Sequence, residues 1–225
     1  MDKVGEYALT VMKKARWYNA WLLSFFGNYI SGDILEVGSG IGNFTPLLEK
    51  FGKVTAIDIN REYNKKNIVK GVTSGFGDIE KGEYFFNHKK FDTIVCLNVI
   101  EHVKDDREAF TNIHKLLREG GKFILLVPAH KALYGKYDKL LGHFRRYNAP
   151  QLEQVMLNTG FKIDKLRYIN WWGAIGWFVF IKFLKRNDFP DKEVGIFNHL
   201  GRLLLWPEKY IRIPFGLSVL MVAEK

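Results

Sequence analysis

Apolar side chains recur at helical spacing through residues 5–29 and just before them, at Val4, Ala8, Val11, Met12, Ala15, Tyr18, Leu22, Phe25 and Phe26, which predicts an N-terminal helix or helix pair. The period then changes. Short apolar runs at Ile34–Val37, Val54–Ile57, Phe91–Leu97 and Lys122–Val127 alternate with helix-like segments at 43–51, 60–69 and 105–118. Strands alternating with helices predict βαβ units, hence a parallel sheet with right-handed crossovers. Pro128 closes the fourth run, Pro150 opens a further helix and Gly160 ends it. Each suits its place: the first turn of a helix has no use for the N–H that Pro lacks, and Gly accepts the left-handed backbone of a helix end. Strands are expected at Phe161–Ile169 and Phe215–Ala223, with a Trp-rich helical insertion over 171–212 between them. The polar, aromatic and basic stretch 130–148 is expected to form a lid over the carboxyl edge of the sheet. No repeat, low-complexity tract or linker interrupts the pattern, so residues 1–225 read as one domain.

Composition narrows the setting. Lys and Arg outnumber Asp and Glu by 34 to 24, a net charge of +10 that favours acidic partners: nucleic acid, anionic lipid head groups or phosphorylated small molecules. The lone Cys96 excludes an internal disulfide and a cysteine-rich zinc site, and suits a reducing cytoplasm. Lys3, Glu6, Lys13, Lys14 and Arg16 break up any apolar run that could act as a secretion signal. The longest apolar stretch, Trp171–Phe183, contains Lys182 and is shorter than the ~20 residues that span a bilayer. The expectation is a cytoplasmic protein, soluble or peripheral at the membrane.

The densest chemical signal runs from Asp33 to Phe44, where a buried strand enters Gly38, Gly40 and Gly42 before a helix. Glycines there let a ligand approach the backbone at the strand's carboxyl end. A dinucleotide fingerprint spaces its glycines as G-x-G-x-x-G/A. Here the third position is Asn43, and Gly42 comes one residue early. Glu36 would repel a pyrophosphate and suits a cationic ligand; S-adenosylmethionine carries a sulfonium and an ammonium group and no phosphate. An NAD-dependent oxidoreductase is the less favoured alternative.

The segment E-x-G-x-G-x-G resembles the first motif of the class I S-adenosylmethionine-dependent methyltransferases, and the resemblance continues in order along roughly 90 residues. Asp58, followed by Ile59, ends the second strand, where the family's acidic residue holds the ribose hydroxyls; otherwise Asp58 caps the next helix. Gly77-Asp78-Ile79 matches the element whose carboxylate and following N–H meet the adenine, or else forms an ordinary turn. Phe91–His102 resembles the fourth strand and its loop, with the backbone near Asn98 facing the methionine part, and Leu117–Lys122 resembles the turn into the fifth strand. The resemblance implies a seven-stranded, Rossmann-like, mostly parallel sheet with helices on both faces. It also implies S-adenosylmethionine as methyl donor and S-adenosylhomocysteine as product. Some quinone-type O-methyltransferases of the superfamily carry an acidic residue three positions before a Glu-His pair such as Glu101-His102. Here that position is Asn98, a poor ligand for a hard cation, so no metal is expected.

Methyl transfer from a sulfonium is an in-line displacement, so the protein must align the acceptor, exclude water and remove a proton where needed. Residues 130–148 resemble an L-Y-x-x-x-D-x-x-x-G-H-x-R-R-Y block of a subset of bacterial and archaeal methyltransferases. His143 is the first candidate base, because imidazole accepts protons near neutral pH, with Tyr147 and His130 as further candidates. Arg145 and Arg146 could grip an anionic acceptor beside Tyr134 and Tyr137. Equally, Asp138 and His143 fix the lid to the body by hydrogen bonds, with the arginines solvated. Tyr18 covers the cofactor or packs in the core. The Trp-rich segment 171–186, ending in Lys185 and Arg186, is buried, lines an apolar pocket or touches a membrane interface. Together with the mixed aliphatic and basic stretch from Leu200 to Lys209, it leans towards a lipid-linked acceptor. The expected function is methyl transfer to a small-molecule or lipid-linked acceptor, anionic ones included, with oxygen favoured. A cofactor-binding interaction or membrane-docking protein without turnover is the alternative. Amino methylation of nucleic-acid bases is disfavoured, since Asn98-Val-Ile-Glu101 lacks the Asn/Asp-Pro-Pro-aromatic motif of that reaction; RNA ribose methylation stays open on charge alone, and nucleic acid is the less expected partner.

Overall fold

The computed structural model describes residues 3–67, 69–179, 201 and 203–225. Two helices, α1 (Lys3–Lys14) and α2 (Arg16–Leu23), precede β1 (Gly32–Val37). The chain continues through α3 (Thr45–Leu48), β2 (Gly52–Asp58), α4 (Arg61–Lys66), β3 (Thr73–Asp78), β4 (Glu83–Tyr84), β5 (Phe91–Leu97), α5 (Asp106–Leu116) and β6 (Leu117–Pro128). Then come α6 (Lys136–Leu140), α7 (Ala149–Asn158), β7 (Lys162–Ile169), α8 (Trp171–Trp177) and β8 (Ser218–Glu224). One sheet holds all eight strands of the described residues in the order β4-β3-β2-β1-β5-β6-β8-β7. Six match the segments expected as strands, and β3 brings the count to the seven that the resemblance implies; the eighth, β4, is a two-residue edge strand antiparallel to β3, too short to carry a hydrophobic period. β8 runs antiparallel between β6 and β7, and the pairs among β3, β2, β1, β5 and β6 are parallel.

The apolar runs are continuous because both faces of the sheet are covered. Leu35, Ile94, Cys96, Phe123 and Leu125 meet Phe110 and Ile113 of α5 and Leu152 and Met156 of α7 on one side. Ile34, Val95, Ile124 and Leu126 meet Trp21 and Leu22 of α2 and Leu48 of α3 on the other. Neighbours in a strand thus serve opposite cores. Asp105 and Asn60 start α5 and α4 by accepting from the N–H groups of Glu108 and Glu62.

The Trp-rich insertion is helical at α8 and again at a 3-10 turn, Trp206–Lys209. Lys182, Lys185, Arg186 and Leu200 lie outside the described residues. No helix among the described residues is long and apolar enough to cross a membrane.

Candidate active site

Strand order reverses direction between β2-β1 and β1-β5, the switch point where open α/β sheets bind ligands. There the carboxyl ends open into a cavity of about 560 Å³, within the ~300–1,000 Å³ usual for small-molecule sites. Its floor is the turn leaving β1. Gly38 and Gly42 have φ of +70° and +80°, a region that penalises any side chain. A Cβ on Gly38 would stand 2.2 Å from Val99 Cγ2, and one on Gly42 would stand 2.4 Å from Asn67 Oδ1. These glycines therefore clear space for neighbouring protein atoms. Gly38 and Gly40 line the cavity; Gly42 shapes the turn from outside the lining.

Asp58 ties this turn to the end of β2. Its Oδ2 accepts from the Gly40 N–H and its Oδ1 from the Asn60 N–H, both at 2.8 Å. Burial raises its pKa above the ordinary value, against the pull of those two bonds. Glu36 is 5% exposed and accepts the Thr45 hydroxyl at 2.6 Å. Burial pushes its carboxyl up to about 8; the Thr45 bond opposes this and the Asp58 charge adds to it. Asp78 Oδ1 accepts from the Glu80 and Lys81 N–H groups at 3.0 and 3.1 Å, leaving Oδ2 as the oxygen not engaged by backbone. Asn98 takes φ +53° and donates its N–H to Leu126 at 2.8 Å, a backbone state that Asn tolerates. Glu36, Asp58, Ile59, Asp78, Ile79 and Asn98 all line the cavity. Ile59 is 65% exposed at the mouth.

Helix α1 forms a wall through Leu9 and Met12. It is held by Asn43 Nδ2, which donates to the Leu9 carbonyl at 2.8 Å, and by a Lys66–Glu6 ion pair. Tyr18 of α2 lines the cavity and accepts from Asn170 Nδ2 at 3.4 Å. Burial pushes its hydroxyl up to about 12, with the Asn170 bond opposing and the Glu208 charge adding. Two wall atoms, Ser39 Oγ and Asn43 Oδ1, are buried without a hydrogen-bond partner. Buried polar atoms are rarely left so unless a ligand or water meets them. With Glu36 beside them, the donor and acceptor set fits a nucleoside that carries a cationic amino-acid tail.

The lid is organised by Asp138, which is fully buried. It accepts from the Gly135 N–H at 2.9 Å, from His143 Nδ1 at 3.0 Å and from Arg146 Nε at 2.8 Å. His143 lines the cavity, and its ring meets that of His102 edge-on at 4.7 Å. Other residues predicted for the acceptor side are placed elsewhere. Arg146 is 2% exposed, pairs with Asp138, donates to the Ala129 carbonyl at 3.2 Å and lies over Trp177. Arg145 donates to the Lys104 carbonyl at 2.7 Å and pairs with Asp106 at 3.1 Å. Neither guanidinium lines the cavity; Arg145 is held by Asp106 and Arg146 by Asp138. Tyr147 donates to Asp106 at 2.9 Å, and Tyr134 donates to the His143 carbonyl at 2.8 Å. Tyr137 is buried edge-on to Trp177, and His130 stacks on Tyr168 at 4.8 Å. These four also stand outside the lining, which leaves His143 as the one predicted base within it.

Asn19 and Leu141 line the cavity without a sequence signal that assigns them there, and His102 of the Glu101-His102 pair lines it too. Glu101, His102 and His143 each bring a ligand-type atom to within 4.8 Å of the others, and Glu101 Oε2 is buried without a partner. Burial pushes the Glu101 carboxyl up to about 8. Among the described residues these three form the group that could hold a divalent cation, and the lid supplies its third member.

A family model described as a methyltransferase domain matches residues 14–166. The ubiquinone biosynthesis O-methyltransferase of Rickettsia bellii is 28% identical over 60% of this chain and 63% of that protein, so the chain spans less than two thirds of that relative. Phosphoethanolamine N-methyltransferase 2 of Haemonchus contortus, solved with S-adenosyl-L-methionine, superposes with a TM-score of 0.63 at 22% identity, covering 92% of this chain and 52% of that one. An S-adenosylmethionine-dependent methyltransferase from Mesorhizobium loti gives 0.59 at 15% identity, covering 88% and 93%. The family match spans the strand ends that build the cavity, and the glycine spacing that spoke against a dinucleotide is explained with it: the chain belongs to the class I S-adenosylmethionine-dependent methyltransferases.

Proposed function

We propose that the protein transfers the methyl group of S-adenosylmethionine to an oxygen of a small-molecule or lipid-linked acceptor, with His143 taking the acceptor's proton. The observation that carries this reading is His143 on the cavity wall, paired with the buried Asp138 behind it. Nδ1 is turned to a buried carboxylate, so Nε2 is the nitrogen that can receive a proton, and Asp138 steadies the imidazolium that results. The cofactor supplies an electrophilic methyl group on a sulfonium; the chain's work is to align the acceptor and exclude water. The family resemblance assigns Asp58 to the ribose, Asp78 and the Ile79 N–H to the adenine, and the backbone at Asn98 to the methionine part. Ser39 and Asn43 offer unsatisfied atoms to the same ligand. The acceptor end, walled by Val103, Leu141, His102 and His143, suits a hydroxyl on a largely apolar body. The name of the Rickettsia relative supports oxygen as the acceptor atom.

His143→Gln is expected to lower kcat on a hydroxylated acceptor by about 10²–10⁴-fold, with the dissociation constant for S-adenosylmethionine unchanged within about threefold. Labelled methyl donor, tested against matched hydroxyl and amine compounds, reads the acceptor atom. Undiminished turnover in the variant, or preference for the amine, refutes the proposal. Turnover lost in a chelator and restored by a divalent cation would instead make Glu101, His102 and His143 a metal site. Cofactor binding without turnover would favour the interaction-protein alternative.

Glu36 adds a pH dependence. With its carboxyl pushed up to about 8, the folded protein holds a proton there that the unfolded chain has released above the ordinary carboxylate pKa. Stability from this group is full below that ordinary value and is lost as pH rises through about 8. An ammonium group beside Glu36 favours the ionised form, so cofactor binding should expel the proton and tighten as pH rises towards 8. Calorimetry at pH 7 in buffers of differing ionisation enthalpy should show close to one proton released, and none in Glu36→Gln. Equal release from both proteins would rule Glu36 out.

A further inference from the structure

Helix α2 has two working faces. Tyr18, Asn19 and Leu22 line the cavity, whereas Trp17, Ala20 and Trp21 join Trp206 and Lys209 around a separate groove of about 290 Å³ on the outside. The segment beyond that groove is held firmly. Trp21 Nε1 donates to the Leu205 carbonyl at 3.2 Å. Arg167 donates to the carbonyls of Glu208 and Ile211 at 2.6 and 3.1 Å. The Tyr210 and Ile211 N–H groups return to the Pro207 carbonyl.

On this rigid base the apolar side chains point outward. Leu203 is 82% exposed, Trp206 59%, Tyr210 73%, Ile211 58% and Phe215 41%. Trp206 and Tyr210 pack together, with ring centroids 5.2 Å apart. Lys209 and Arg212 are exposed among them, and Arg16 is exposed on the adjoining helix α2. The one carboxylate between residues 203 and 215, Glu208, is turned inward and accepts from the Asn170 and Trp171 N–H groups at 2.7 and 2.8 Å. Residues 203–215 therefore present an apolar and aromatic surface with cations and no outward acid of their own. Arg167 and Lys165 stand behind it, each also feeling the positive charge of Arg212.

We propose that residues 203–215, with the outer face of α2, dock on an anionic lipid membrane. A surface that joins Trp and Tyr to Lys and Arg matches the bilayer interface, where aromatic rings sit at head-group depth and cations meet lipid phosphates. A purely apolar protein partner would gain nothing from Lys209 and Arg212, and a nucleic acid would gain nothing from Leu203 and Ile211. The docking face is one helix away from the cavity. The proposal stands on this surface alone and is independent of which acceptor the enzyme methylates.

The test is co-sedimentation of the full chain with vesicles of phosphatidylcholine, alone or with phosphatidylserine, at low and physiological salt. Binding to the anionic vesicles that weakens as salt rises is expected, with at least tenfold weaker partitioning to the neutral ones. The pair Lys209→Gln/Arg212→Gln should lose about tenfold or more of that partitioning. The pair Trp206→Ser/Ile211→Ser should lose a similar amount, while both variants keep wild-type melting and cofactor affinity. The proposal is overturned if neither vesicle retains the protein, or if either pair of substitutions leaves binding unchanged. It is also overturned if sedimentation shows these side chains joining two copies of the chain instead.

Discussion

Asp58→Ala is expected to weaken S-adenosylmethionine binding by on the order of a hundredfold or more. The carboxylate accepts the Gly40 and Asn60 N–H groups at 2.8 Å each, so it holds the turn after β1 against the turn after β2. Truncation leaves the buried Gly40 N–H and the half-buried Asn60 N–H without that partner and frees the cavity floor. Any ribose hydroxyl that the carboxylate receives is lost as well. Hydrogen bonds to a charged group contribute about 1.5–3 kcal/mol each, and about 2.7 kcal/mol is a hundredfold in affinity. Asp58→Asn keeps one acceptor oxygen and should lose less. Titration calorimetry with S-adenosylmethionine and S-adenosylhomocysteine measures both effects. An alanine variant that binds within about threefold of wild type would remove Asp58 from the cofactor site.

The second large effect is on folding. Asp138→Ala should destabilise the protein by about 3–5 kcal/mol, because it leaves the Arg146 guanidinium buried and unpaired. For a chain of this size that lowers Tm by roughly 6–20 °C. Arg146 is 2% exposed, so water cannot take over the lost contact. Replacing both partners, as in Asp138→Leu/Arg146→Met, should cost less than Asp138→Ala alone, since no bare charge remains. Burial pushes the Asp138 pKa up, but the His143 hydrogen bond and the charge and hydrogen bond of Arg146 outweigh it, holding the group below its ordinary value. Its contribution is therefore full above the ordinary carboxylate pKa and is lost as pH falls through the depressed one. Thermal melts of the single and double variants decide the matter. A double variant as unstable as the single one would mean that the pair does not anchor the lid. Because the same carboxylate orients His143, the alanine variant should also lose turnover at temperatures where it is still folded.

The lid shows why part of the site was out of reach of a linear reading. Arg145 and Arg146 looked like a clamp for an anionic acceptor. Whether a guanidinium is available to a ligand depends on what else it meets. Arg146 meets Asp138 and Trp177; Arg145 meets Asp106 and the Lys104 carbonyl. Tyr147 shares Asp106 with Arg145. The other reading of the block had Asp138 and His143 fixing the lid and both arginines solvated, and nothing local pointed to Asp138 and Asp106 as partners for the arginines. His102 was singled out with Glu101, but its place beside His143 exists only after the lid folds back.

What the chain determined by itself was local. Alternating apolar runs and helices specify the parallel sheet, because each strand must bury both faces and each crossover must cover one of them. The positive-φ turn at Gly38–Gly42 and the carboxylate at Glu36 were legible because they depend on backbone freedom and charge within a few residues. The tertiary structure decided which polar side chains became scaffold and which stayed open to a ligand, since that choice is made by partners distant in sequence. It also turned Glu208 inward and left Trp206, Tyr210 and Ile211 facing out. That outcome reflects the burial preference of one carboxylate against two backbone N–H groups, which no pattern of hydrophobic positions encodes.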